Sequence, residues 1–575
     1  MKGHEGKPIG EKGSTKGFLE ELYLDVFNRG RFGALTFPGR DPKAEEIIAE
    51  YRKLIKDYSP ARLEEEGTIP DELMDGLKKL GLFGLNVPAG LGGVGLSLTG
   101  YLSVLESMAR TDMALALTPT AHLSIGIKGI ILFGTEEQKR KYLTKAASGE
   151  MIFAYALTEP KVGSDARHIT TSVTLSEDGR HYILNGQKTY ITNGGFAGGL
   201  TAFAQMDPER PGFMGAFIVE TAWNGVQIGN EIPKMGIKAS STTPITFTDV
   251  RVPAENLLGK PGDGFRIAMT VLNYGRLGLG AASKGAMDQS LDDMFQRASS
   301  RVQFGVPIRD FELVQEMMVR AAAHSLAAEA MTAATAGLLE ADPTGPMAIE
   351  SSHVKLYGTT RAWDTLYDAL QTAGGSGYLS SSPYEKRMRD FRVTTVFEGT
   401  SEIHSIYPAL FLLRNLGKRI RGMGRLRQAI YLLRGAYGSP GLSPAYSEPG
   451  MKRAAGLAGR LARGVRKMVH LGLMKYGRDV VGHEFFLRRV SRLSLALYGL
   501  LASLALIDAR KKDGEDISTD LNRLRYLTEE AARTLRDDLR IRNNGLESAG
   551  RRVFTDLVSA RETGHREPNE GGGSR

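Results

Sequence analysis

The chain has 575 residues, 42% of them hydrophobic and 24% charged, which is ordinary for a soluble globular protein and long enough for two to four domains. It contains no cysteine, which excludes a disulfide framework, a thiolate metal site and a thiol nucleophile. A net charge of +9 and a pI near 9.3 favour anionic partners: nucleic acid, anionic lipid, or a substrate or cofactor carrying phosphate.

Residues 1–45 read as an N-terminal leader with a short amphipathic element around FLEELYLDVFNRGRF. MKGHEGKPIGEKGSTKG is basic and glycine-rich but lacks the apolar core, about 7–15 residues long, of a secretory signal, and Glu5 and Glu11 argue against an organellar transit peptide. Residues 46–154 place apolar side chains at helical spacing, as in EEIIAEYRKLIKDY and DELMDGLKKLGLFGL, and predict a helical domain. GLGGVGLS at 90–97 lacks the Gly-Lys-Ser/Thr of a phosphate loop and has no preceding strand, so it reads as a structural turn. Residues 155–255 predict an antiparallel β domain. Asp178-Gly179 and Asn185-Gly186 are hairpin signals between β-branched runs, and LTAFAQM, MGAFIVE and PITFTDVRVP continue as short strands.

Helical patterns return at 263–340 and 346–375, within a helical bundle spanning 256–412. An extra helical region, 413–566, contains the break GAYGSPGLSPAYSEPG, and the tail 567–575 reads as disordered. The order helices, strands, helices gives an α+β architecture rather than a parallel nucleotide-binding sheet. No stretch reaches the roughly 18 uninterrupted apolar residues of a membrane-spanning helix; the nearest is LSLALYGLLASLALI at 493–507.

Residues 396–402 read VFEGTSE, with Glu398 between an apolar pair and a glycine. One reading is a helix start, with Thr400 as cap and Glu402 in the first turn. The other is a catalytic base in an apolar pocket, with glycine admitting a substrate. Other segments carry more polar detail than folding requires. In AYALTEPKVGSDA, Thr158, Gly163 and Ser164 offer loop hydroxyls and amides suited to a planar ring or a phosphate chain. In GQKTYITNGG, Tyr190, Ile191 and Thr192 could cover a flat cofactor, or Tyr190 could be a packed strand aromatic. In SSRVQFG and LQTAGGSGY, Arg301 could neutralise a pyrophosphate while Gly374 and Gly375 allow close backbone approach. No metal site is expected.

The order of TEPKVGSD, NGQKTYITNGG, MGIKASST, GDGFRIAM, RVQFG, LQTAGGSGY and MRDFRVTTVFEGTSEI resembles the acyl-CoA dehydrogenase family over roughly residues 55–410, most closely its very-long-chain branch. The resemblance implies bound FAD, a helical/β/helical fold, a homodimer, and electrons passed to an electron-transferring flavoprotein. It places Tyr155, Leu157 and Thr158 along the flavin, with Gly163 and Ser164 in the adjoining loop. It has Thr192 donate to the hydride-accepting nitrogen and Tyr190 cover the ring, at a position where the family often has tryptophan, with Ile191 between them in the cofactor set. It assigns Arg301, Gln303, Phe304, Gln371, Gly374 and Gly375 to the pyrophosphate and adenine across a subunit interface, with Thr400 and Glu402 completing the cofactor shell. Ser164, Asn273, Tyr274, Arg276, Phe397 and Gly399 fall where the family holds acyl-CoA.

By the same resemblance Glu398 is the base that removes the α-proton of the thioester. Some relatives place the base near 275, which here is Gly275. Long-chain members have small residues deep in the acyl cavity, a place that Ala114, Ala116 and Thr120 would take, with Pro119 bending the helix. The implied reaction is oxidation of long-chain acyl-CoA to the trans-2-enoyl-CoA in fatty-acid β-oxidation. The alternatives are a non-catalytic assembly scaffold that keeps the fold, or a DNA-associated flavoprotein of the same superfamily.

Residues 452–492 carry eleven Lys or Arg against Asp479 and Glu484. On a helical wheel Leu457, Leu461, Val465 and Met468 oppose Arg460, Arg463, Arg466 and Lys467, the pattern of a helix lying on an anionic bilayer, or of one docked on its own fold with a solvated basic face. The absence of aromatics interleaved with the arginines disfavours nucleic acid. The expectation is a cytoplasmic protein, peripheral on the inner face of a membrane, in bacteria or in the matrix of a mitochondrion.

Overall fold

The computed structural model describes residues 16–25, 35, 37, 41–442 and 446–564; most of 1–45 and the tail 567–575 lie outside them. A short helix, α1 (Phe18–Leu24), precedes the N-terminal helices: α2 (Pro42–Leu54), α3 (Pro60–Glu66), α4 (Asp71–Lys79), α5 (Leu98–Thr111), α6 (Met113–Ala121), α7 (Lys128–Phe133) and α8 (Glu136–Ala147). Their starts follow from local chemistry. Asp41 caps α2 ahead of Pro42, Ser59 caps α3, and Thr135 with Gln138 forms a capping box on α8. Pro119 inside α6 is followed by a π-helical turn at His122–Gly126, so the chain bends before α7.

The middle domain holds β1 (Ile152–Ala156), β2 (Ser172–Leu175), β3 (His181–Thr192), β4 (Ala197–Gln205), β5 (Met214–Glu220), β6 (Val226–Ile228), β7 (Thr242–Pro253) and β8 (Leu257–Leu258). The sheet runs β6-β7-β3-β2-β4-β5-β8, with β1 paired to β4. It is mixed rather than antiparallel. β1 runs parallel to β4 because the chain between them folds out through the β2–β3 hairpin and re-enters in the same direction.

The C-terminal bundle follows: α9 (Gly264–Ser300), a hairpin of β9 (Val302–Gln303) and β10 (Val306–Pro307), α10 (Glu312–Ala341), α11 (Ala348–Ala373), α12 (Pro383–Arg392) and α13 (Ser401–Ile420). The helical pattern read across 263–340 is therefore interrupted. Phe304 and Gly305 both take positive φ, 52° and 85°, as a two-residue hairpin turn requires, and they reverse the chain between α9 and α10. Beyond them lie α14 (Arg425–Tyr437), α15 (Pro449–Tyr476), α16 (Glu484–Lys512), α17 (Ser518–Asp538) and α18 (Gly545–Gly564). One continuous core joins the N-terminal helices, the bundle and α15 to α17, while a second lies within the sheet.

Three expectations meet this packing. The leader contains α1, whose Phe18, Leu19, Leu22 and Tyr23 are fully buried, with Leu19 N donating to Glu350 at 2.7 Å and the Tyr23 hydroxyl 2.8 Å from Ser494 Oγ. The apolar run at 493–507 is the buried middle of α16. Leu457, Leu461, Val465 and Met468 are buried against neighbouring helices, so the side of α15 that a bilayer would receive is already covered. Arg466 leaves the basic face too, and Arg489, another of the eleven cations, lies on α16. Arg466 donates to the carbonyls of Gly435 and Asp25, and Arg489 forms a buried pair with Glu547. Phe18→Ala should destabilise the protein by about 3–5 kcal/mol, the usual penalty for emptying an aromatic site, read as a lower Tm by differential scanning calorimetry.

Candidate active site

Glu398 sits in the turn between a 3-10 segment at Val393–Thr395 and α13. The helix-start reading of VFEGTSE is realised. Thr400 caps α13, its hydroxyl accepting from Ile403 N at 3.3 Å, and Glu402 stands exposed in the first turn. Glu398 itself takes φ of 57° and Gly399 φ of 96°. A left-handed glutamate is strained, by about 1–2 kcal/mol, and the strain turns its side chain inward. The residue is half-buried overall, yet Oε2 is enclosed and has no hydrogen-bond partner.

The carboxylate fills the space left by Gly275 on α9: a β-carbon there would lie 2.8 Å from Oε1 and 3.0 Å from Cδ. No rival base stands at that position, and none could without displacing Glu398. Burial raises the Glu398 pKa to about 7, against the opposing pull of the Arg276 and Lys355 cations. The turn's carbonyls are pinned: His404 Nε2 lies 2.9 Å from Glu398 O, Arg276 Nε 3.5 Å from the same oxygen, and Lys355 Nζ donates to Gly399 O at 2.6 Å.

The β domain supplies a second wall. Tyr155 on β1 donates to Ala268 O at 3.3 Å and lies close enough to Glu398 for the carboxylate to help hold its phenol protonated, after burial itself. Thr189 N donates to Thr158 O at 2.9 Å, which sets Thr158 beside the end of β3. There the register shifts between Lys188 and Ile191. Tyr190 takes φ of 57° and stands 66% exposed, while Ile191 turns into the sheet core. The ring of Tyr190 is thus a surface face, whereas Ile191 offers only backbone.

The loop after Leu157 is held by a buried ion pair, Lys188 Nζ to Glu159 Oε1 at 2.8 Å. Glu159 also accepts from Thr170 N and Oγ1 and from Thr171 N. Burial would raise the Glu159 pKa, but Lys188 and these donors carry it down to about 2, so the pair is ionised at neutral pH. Gly163 and Ser164 lie exposed on that loop.

The expected substrate set divides. Asn273 and Tyr274 are buried and already engaged. Asn273 Oδ1 accepts from Ser351 Oγ at 2.7 Å and Arg276 Nη1 at 3.4 Å, and the Tyr274 hydroxyl donates to Pro343 O at 2.8 Å. Both act in the structure as supports of Arg276 and of the α10–α11 connection. Phe397 is half-buried against the main core beside Glu398. On α6, Ala114 and Ala116 are buried, and the Thr120 methyl lies 3.0 Å from where a β-carbon would sit on Gly278, one turn along α9 from Gly275.

Arg301, Gln303, Phe304, Gln371, Gly374 and Gly375 are exposed together where α9 and α11 end, the two ends tied by Arg297 Nη2 to Ala373 O at 3.3 Å. This patch is remote from Glu398. Along α9, 25 residues separate Arg276 from Arg301, about 37 Å of helix.

Three profiles of one family match the chain in order: acyl-CoA dehydrogenase N-terminal domain at 41–150, middle domain at 154–250 and C-terminal domain at 262–407. The chain belongs to the acyl-CoA dehydrogenase family. It is 36% identical over 491 residues to the human mitochondrial very long-chain specific acyl-CoA dehydrogenase, covering 82% of this chain and 75% of the relative. The fold matches a Bacillus anthracis acyl-CoA dehydrogenase complexed with FAD, with TM-score 0.80, 28% identity and 95% of each chain covered. It also matches the butyryl-CoA dehydrogenase of Megasphaera elsdenii, with TM-score 0.63, 32% identity, 66% of this chain and 100% of the other.

FAD is the family's cofactor. The residues present fit it. Among the described residues the hydroxyls of Thr158 and Thr192 have no hydrogen-bond partner, Tyr190 offers an uncovered ring, and Arg301 has no ion pair. A β-carbon on Gly374 or Gly375 would meet nothing within 4 Å, leaving the backbone open to a phosphate chain.

Sequence reading missed Lys355, His404, Ser351 and Ser352. They lie in ordinary helical runs, and the only signal is that GluSerSerHis at 350–353 and Lys355 interrupt a helix whose 349–359 face is wholly buried.

The raised Glu398 pKa carries a stability sign. The folded state prefers the neutral acid, so destabilisation is absent below the unfolded pKa near 4.5 and grows to its full extent as pH rises through about 7. The Tm advantage of Glu398→Gln over the parent should therefore be larger at pH 8 than at pH 5; a gap that does not widen would show the carboxylate to be solvated.

Proposed function

We propose that the chain oxidises long-chain acyl-CoA to the trans-2-enoyl-CoA in fatty-acid β-oxidation, with Glu398 as base and an electron-transferring flavoprotein as acceptor. One observation carries the reading: a single desolvated carboxylate, turned inward by strained backbone, faces the space left by Gly275. A thioester α-proton is weakly acidic, and a carboxylate with a pKa near 7 is a far stronger base than one in water.

FAD, when bound, supplies the acceptor for the β-hydride. Glu398 takes the α-proton, and the electron pair of that C–H bond becomes the new double bond as the hydride leaves. Among the described residues nothing accepts from the Glu398 N–H, which leaves it free to donate to the thioester oxygen as negative charge develops. Asn273 and Ser351 hold Arg276 beside the turn.

Residue placement supports a homodimer. The flavin wall and the Arg301–Gly375 patch lie too far apart within one subunit for a single extended dinucleotide to touch both, so a partner's patch would complete each site. The acyl chain would pass along α9 from Gly275 toward Gly278, where Thr120 narrows the path.

A peripheral membrane contact is supported at a different place from 452–492 alone. On α14, Leu426, Ile430, Leu433 and Tyr437 form an exposed stripe flanked by Arg425, Arg427 and Arg434, and Lys467 of α15 lies over the Tyr437 ring at 5.6 Å.

Anaerobic mixing with palmitoyl-CoA should bleach the oxidised flavin band, and Glu398→Gln should lose this while keeping FAD. A normal flavin that no acyl-CoA reduces would favour the scaffold reading. Thr120→Gly should shift kcat/KM toward longer acyl-CoAs; an unchanged chain-length profile would place the acyl path elsewhere.

A further inference from the structure

The turn that presents Glu398 is gripped from two helices. From α13, His404 reaches the Glu398 carbonyl through Nε2 at 2.9 Å, while its Nδ1 lies 2.7 Å from Ser352 Oγ on α11. A carbonyl only accepts, so Nε2 carries the proton, Nδ1 accepts, and Ser352 donates. Burial and the neighbouring cations keep this histidine neutral. From α11, Lys355 reaches the next carbonyl, Gly399 O, at 2.6 Å. Gly399 is required at that spot, since a β-carbon would fall 2.6 Å from His404 Nε2.

Lys355 is fully buried, and Gly399 O is its one acceptor among the described residues. A neutral donor would hold a carbonyl as well, without the penalty of burying an ammonium. What a neutral donor lacks is charge. The groups facing the carboxylate are Arg276 from α9, Tyr155 from β1, Lys355 from α11 and neutral His404 from α13, with Glu402 of α13 bearing on Lys355 from outside. Only Arg276 and Lys355 can be cations here. Burial lowers the Lys355 pKa to about 7 while the Glu398 carboxylate pulls it up, so Lys355 carries its charge opposite an ionised Glu398.

We propose that Lys355 is a positioning residue for the Glu398 base: its ammonium fixes the left-handed turn through the Gly399 carbonyl and is one of two cations that keep the buried carboxylate ionised. The proposal rests on Glu398 being the base. Arg276 alone is a loose support, with contacts of 3.5 Å to Glu398 O, 3.4 Å to Asn273 Oδ1 and 3.5 Å to Ser351 Oγ. Removing the Lys355 charge leaves the carboxylate with that one cation, so it should hold its proton to higher pH.

The test is anaerobic flavin reduction of the holoenzyme by palmitoyl-CoA, followed by stopped flow across the pH range, with FAD content and Tm measured on each protein. Lys355→Gln keeps a donor for Gly399 O and removes the charge. It should move the acid limb of the rate profile up by about one unit, a loss of about tenfold at neutral pH that narrows at alkaline pH. Lys355→Arg should return the limb to the parent position. A purely structural lysine would change Tm or FAD content without moving the limb.

A limb at the parent position in FAD-loaded Lys355→Gln would overturn the proposal. If the glutamine variant does not hold FAD, Lys355→Arg decides: a parental limb supports the cation, and a displaced one overturns it. Glu398→Gln, run alongside, separates the two claims. Reduction that survives Glu398→Gln overturns both, whereas loss there with an unmoved limb in Lys355→Gln overturns only the role of Lys355.

Discussion

A carboxylate held out of water on a left-handed backbone is the constraint to which the rest of this molecule is fitted. Glutamate avoids positive φ, and an ionised side chain avoids burial, so residue 398 is unfavourable twice over. The surroundings over-determine it. α9 gives up a side chain at Gly275, α13 supplies the His404 ring, and α11 supplies Lys355 and the serine that orients His404. These three helices are the tightly packed centre of the C-terminal bundle, so the strain is stored where the core is least able to relax it.

The β domain solves a different problem with the opposite electrostatics. Lys188 and Glu159 are also buried, but they are paired at 2.8 Å and Glu159 is surrounded by donors. The carboxylate therefore stays charged at neutral pH, while burial brings the Lys188 pKa down to about 8 against the pull of Glu159. Their work is mechanical: they fix the loop that carries Thr158, Gly163 and Ser164 beside the bulged end of β3. The contrast between a satisfied buried glutamate at 159 and one at 398 with an enclosed, unpartnered Oε2 is what marks Glu398 as the candidate for chemistry.

Much of this was legible in the sequence, and the failures have physical causes. Helix and strand order followed from periodicity, and Glu398 stood out because a carboxylate between Val396-Phe397 and Gly399 is hard to place on a surface. The β9–β10 hairpin was hidden because its turn uses Phe304-Gly305 instead of an asparagine-glycine pair, so an aromatic at positive φ had to be seen. The parallel pairing of β1 with β4 joins segments some 45 residues apart, beyond any local pattern. Asn273 and Tyr274 were placed by resemblance at the acyl-CoA site, and their intramolecular partners were invisible until the facing elements were known. Here Ser351 and the Pro343 carbonyl take up their hydrogen bonds. Lys355 escaped notice because a lysine in a helix reads as solvated until its stretch of the helix, 349–359, is found to be buried on every side.

The C-terminal region shows the limit of a helical wheel as evidence for a surface. α15 has the amphipathic pattern of a bilayer-lying helix, yet a wheel reports only that one side is apolar, not what covers it. In the fold α14, α16 and α17 cover it. Arg466 of the basic face is spent on carbonyls, and Arg489, one of the eleven cations of 452–492, is spent on Glu547 from α16. Apolar residues left exposed include Leu426, Ile430, Leu433 and Tyr437 of α14, which repeat at helical spacing, and Leu546, Val553, Phe554 and Leu557 of α18. Burying α15 therefore serves the interior: it closes the core behind α13, on which the Glu398 turn depends.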